Sequence, residues 1–61
     1  MQNKTELINT LKQIEIETKE ALEYLENDKL GLAEGKIYDA YLNLSLVLST
    51  IRSINKGSSN E

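Results

Sequence analysis

Apolar positions in the first half of the chain fall at Leu7, Leu11, Ile14, Thr18, Ala21 and Leu25, with Thr18 the one polar member. The steps alternate four and three, the spacing that keeps one stripe of an α-helix facing a partner, and Ile8 and Leu22 widen the stripe on one flank. Asn3 followed by Glu6 resembles a capping box, with Asn where Ser or Thr is more usual, so a first helix is expected over about residues 4–27. Asn27 and Asp28 break the pattern, and Asp28 is a suitable cap for a second helix. The second stripe reads Leu30, Ala33, Ile37, Ala40, Leu44, Val47, Ile51 and Ile54, again in steps of three and four, which predicts a helix over about 29–55. Gly31 and Gly35 leave its start open between Lys29 and Lys36.

Two matched stripes joined by a short connection predict an antiparallel hairpin. Folding about residues 27–31 sets Leu25 against Ile37, Thr18 against Leu44, Leu11 against Ile51 and Leu7 against Ile54. The rival pattern is a strand, because Leu42, Leu44, Leu46 and Leu48 alternate with Asn43, Ser45, Val47 and Ser49. A strand there would lack a hairpin mate, and leucine suits a helix better than the β-branched residues strands prefer. The expected organisation is one all-α unit over residues 1–56, with residues 57–61 a disordered tail behind a glycine stop.

From Ala40 to Ile51 no charged residue occurs, and the apolar side chains occupy two sides of the predicted helix. Besides the seam, Gly35, Leu42, Leu46, Ser49 and Ser53 form a second stripe of small and apolar residues that begins at Gly31, with Tyr38 at its margin. A lone hairpin covers one side, so this stripe is the expected self-association surface, with the second helix buried between its own first helix and another copy in a four-helix bundle. Size points the same way. A chain of 61 residues needs a staple to stay folded, and with no cysteine and no histidine neither a disulfide nor a structural zinc is available, which leaves oligomerisation.

Composition narrows the chemistry. The net charge of −3 argues against a general polyanion binder. Without histidine or cysteine the chain lacks the usual general bases and thiol nucleophiles, and no nucleophile is paired with a base, so neither catalytic residues nor a cofactor are expected. Glu17, Glu20, Glu23 and Glu26 recur every three residues, but they drift around the outside of the first helix and read as a solvated face rather than a metal site. Asp39 and Arg52 bracket an apolar run too short to span a bilayer, and no membrane association is expected. The N-terminus lacks the apolar centre of a signal peptide, which makes cytoplasmic localisation the expectation. The six Asn, six Lys and six Ile suit the coding bias of an AT-rich bacterium or its phage.

In architecture the paired stripes resemble the Rop-type helical hairpins, which dimerise into a four-helix bundle and bind paired RNA loops. That resemblance rests on form and on no sequence motif, and it implies a dimeric RNA-binding regulator as one alternative. Lys4, Lys12 and Lys19 share a side of the first helix, yet Glu15, Glu23 and Glu26 share it too and neutralise it, which argues against nucleic acid. Ile16 points away from the seam and Tyr24 lies off it, so Lys12, Ile16, Glu20 and Tyr24 form the candidate docking patch for another protein. The expected function is therefore a non-enzymatic hairpin that pairs with itself and occupies a surface on a partner protein, as small regulators and inhibitors do. A purely structural assembly subunit is the third alternative.

Overall fold

The computed structural model describes the backbone of residues 2–58 and the side chains of residues 4–57. Two helices, α1 (Gln2–Glu26) and α2 (Leu30–Ser58), contain all of this backbone except residues 27–29. At 1.5 Å per residue the 25 and 29 residues of the helices would extend about 80 Å end to end. The longest dimension is 50 Å, with 16 and 12 Å across, so α2 folds back along α1 as an antiparallel hairpin.

Several boundaries differ from those expected. The helix α1 already includes Gln2, which makes Asn3 a helical residue rather than a cap. Gly57 and Ser58 continue α2, and the rest of the expected tail, residues 59–61, lies outside the described residues. Asp28 does not cap α2. It ends α1 instead, adopting the left-handed conformation (φ 61°) that Asp tolerates better than most side chains. The Asp28 amide donates to the Leu25 carbonyl at 3.0 Å and the Lys29 amide to the Tyr24 carbonyl at 2.8 Å, the paired bonds of a Schellman motif. The Asn27 side-chain amide adds a bond to the Glu23 carbonyl at 2.8 Å. With the Glu23, Tyr24 and Leu25 carbonyls satisfied, the chain reverses within three residues, and Ala33 opens α2 by donating to the Lys29 carbonyl.

The contact between the helices is narrow and made of small side chains. Ile14, Ala21, Ala33, Ala40 and Val47 are the buried apolar residues, with Leu7 packed against the Ile14, Ala40 and Val47 cluster. Ile54 and Tyr24 are half-buried. Among the described residues no large side chain is fully enclosed.

Candidate self-association face

Every second member of each predicted stripe lies outside this seam. In α1, Leu7, Ile14 and Ala21 face α2, whereas Leu11, Thr18 and Leu25 are exposed. In α2, Ala40, Val47 and Ile54 face α1, whereas Ile37, Leu44 and Ile51 are exposed. The positions that complete the seam are polar: Thr10, Glu17, Lys36, Asn43 and Thr50. On a helical wheel the line of contact is rotated by roughly 60° from the centre of the apolar stripe. The physical reason is that each apolar stripe is wider than one neighbouring helix covers. The hairpin closes along its alanines, whose small side chains permit a close approach, and leaves the larger aliphatics beside the seam.

In antiparallel helices the two rotations are mirror images, so the displaced residues emerge on the same side of the hairpin. Ile8, Leu11, Leu22 and Leu25 of α1 stand beside Leu30, Ile37, Tyr41, Leu44, Leu48 and Ile51 of α2, with exposures from 36% at Ile51 to 66% at Leu30. Tyr41, Leu44, Ser45 and Leu48 line a shallow depression on this face. The sequence carried the signal for it, namely apolar stripes with flanking Ile8, Leu22 and Leu48 that are too wide for a two-helix contact.

The opposite side of the seam is polar. Glu17 is only 7% exposed, and its carboxylate accepts hydrogen bonds from the Asn43 amide at 3.2 and 3.4 Å and from the Gln13 amide at 3.5 Å. Lys36 pairs with Glu20 at 2.8 Å, and that hydrogen bond and charge raise the Lys36 pKa above the ordinary lysine value. Glu17 and Glu20, expected on the solvated outside of α1, therefore take part in the interhelical contact. The reason is the same rotation, which turns the acidic flank of α1 into the seam.

The stripe of Gly35, Leu42, Leu46, Ser49 and Ser53, with Tyr38, is exposed on α2. It is confined to one helix, and its Leu46 reaches the interhelical groove, beside Leu7, Thr10, Val47 and Thr50. Tyr38 lies near Tyr41, with ring centroids 6.4 Å apart. A Cβ placed on Gly31 or Gly35 meets nothing within 4 Å, so no close approach inside the hairpin requires either glycine. The four residues of the docking patch follow one another in steps of four along α1: Lys12 and Ile16 are exposed, Glu20 is engaged by Lys36, and Tyr24 is half-buried.

Among the described residues no group of three or more acidic, histidine or cysteine side chains is placed to hold a metal ion, and no helix is long and apolar enough to cross a membrane. Comparison with protein-family models, characterised proteins and solved structures gives no match.

Proposed function

We propose that the chain is a non-enzymatic interaction module in which two hairpins pair through the ten-residue apolar face to form a four-helix bundle, and that the bundle acts by occupying a surface on another protein. The observation that carries this reading is the face itself. Taking about 170 Å² for a fully exposed large apolar side chain, its residues offer roughly 800 Å², the amount one partner contributes to a stable interface. None of the ten is charged, although Glu15, one heptad from Ile8 and one from Leu22, shares their line on α1. A hairpin whose buried core is three alanines, one valine and one isoleucine also needs a permanent partner, and the one always present in equal amount is a second copy.

In this bundle the outward side of α1 stays free, and Ile16, 51% exposed, offers an apolar anchor beside Lys12 for the partner protein. The self-association is tested by light scattering across a concentration series, with Leu44→Arg and Leu46→Arg as a matched pair. The wild-type chain is expected at twice its 6.9 kDa. Leu44→Arg places an unpaired charge in the interface and should yield monomer or unfolded chain, whereas Leu46→Arg lies on the other side and should keep the dimer. A wild-type monomer at every concentration removes the reading. A dimer lost only with Leu46→Arg moves the interface to the outer stripe of α2.

A further inference from the structure

We infer that the second copy lies antiparallel to the first on this face, with the two loops at opposite ends of the bundle. The inference rests on the self-association proposed above and adds its topology, which the distribution of charge along the hairpin decides. The half nearest the loop carries Glu17, Glu20, Glu23, Glu26, Asp28, Glu34 and Asp39 against Lys19, Lys29 and Lys36, a net −4. The rest of the chain carries Lys4, Lys12, Arg52 and Lys56 against Glu6, Glu15 and Glu61, a net +1. The hairpin is acidic at its closed end and weakly basic at its open end.

The apolar face is isologous in either of two symmetric arrangements. A two-fold axis along the hairpin would set the loops side by side, each acidic end against its own copy. A two-fold axis across the hairpin sets the acidic end of one chain against the basic end of the other. Pairing across the seam, Glu17 with Asn43 and Glu20 with Lys36, places Glu15 and Asn43 at about the same height, near the middle of the hairpin. Glu34 and Arg52 lie equally far from Asn43 in opposite directions along α2, as do Glu26 and Lys4 from Glu15 along α1. A crosswise two-fold at that height brings Glu34 level with Arg52 of the second copy and Glu26 level with Lys4 of the second copy. The lengthwise axis brings each of these acids level with itself. The ten apolar side chains supply the burial in both arrangements. The crosswise axis sets Glu15 near Glu15 of the second copy, but its two pairs of Glu34 with Arg52 and two of Glu26 with Lys4 outnumber that one like-charge pair, so the charges along the face select it, as they do in paired helices generally.

Spin labels on introduced cysteines test this directly, since the native chain has none. Lys29→Cys marks the loop end and Asn55→Cys the open end. In the crosswise dimer each label is expected about 40 Å from its copy, because each site stands some 12 to 14 residues from the middle at 1.5 Å per residue. In the lengthwise dimer both distances fall below about 20 Å, the width of two helix layers. In the crosswise dimer alone, a mixture of the two singly labelled chains should add a short distance that neither labelled chain gives by itself. Raising NaCl from about 20 to 200 mM should weaken the crosswise dimer by roughly two- to five-fold in Kd. Short distances between identical labels, or a dimer that tightens over that range, overturn the topology while leaving the dimer standing. Monomeric mass with no dipolar signal overturns the self-association together with it. Circular dichroism of each labelled chain verifies folding, and the two label sites report independently.

Discussion

Replacing Gly35 by alanine is expected to stabilise the protein, and the size of the effect follows from the structure. Gly35 lies in the second turn of α2, where glycine costs about 1 kcal/mol relative to alanine through the backbone entropy lost on folding. A steric penalty would offset that gain only if the new methyl met another group, and an added Cβ has nothing within 4 Å. The methyl remains exposed, so burial contributes little. The expected gain is about 1 kcal/mol per chain, or a rise in Tm of roughly 4–8 °C for a domain of this size. Thermal and urea unfolding followed by circular dichroism at one fixed protein concentration measures it, because the stability of an associating chain depends on concentration. Gly31→Ala serves as the comparison nearer the helix start, with a smaller gain expected. If Gly35→Ala instead lowers Tm or changes the solution mass, another backbone must approach that glycine. The outer stripe of α2 would then be an occupied interface, and the assignment of pairing to the opposite face would fail.

Asp28→Gly should raise stability by about 0.5–1 kcal/mol, since glycine reaches the left-handed conformation at the end of α1 without the strain of a Cβ; unchanged or lower stability in urea melts would show that the aspartate side chain contributes something else. Asn43→Ala removes the donor that satisfies Glu17 across the seam and should cost about 1–3 kcal/mol, while Glu17→Leu combined with Asn43→Leu should recover most of that loss; a double variant as unstable as the single one would contradict this account. The raised pKa of Lys36 sets the sign of an alkaline effect, for the Glu20 pair contributes fully below the unfolded lysine value of about 10.4 and is lost as pH rises through the higher folded value. Stability above pH 10 should therefore fall more steeply in the wild-type chain than in Lys36→Gln, and parallel curves would assign the pair no role.

Helix content, the hairpin and the location of the turn were legible from residue order because they depend on local physics. Periodic apolar positions, strong helix formers and the Asn-Asp interruption act within a few residues of one another. Even so, the role of Asp28 was misplaced by one element, since an aspartate favours both a helix start and a left-handed helix end, and only the hydrogen bonds of Asp28 and Lys29 distinguish them.

Which part of each stripe faces the neighbouring helix was decided by tertiary structure. Leu11, Leu25, Ile37, Leu44 and Ile51 have the same spacing as the buried positions, and their pattern says that they need cover without saying from which helix. Packing two cylinders resolves this in favour of Ala21, Ala33 and Ala40, whose small side chains permit close contact, and of the Glu17 to Asn43 and Glu20 to Lys36 pairs that close its polar edge. A one-dimensional pattern fixes how much apolar surface a helix must hide. The division of that surface between a partner within the chain and one beyond it depends on the distance and rotation of the helices, which exist only once the chain has folded.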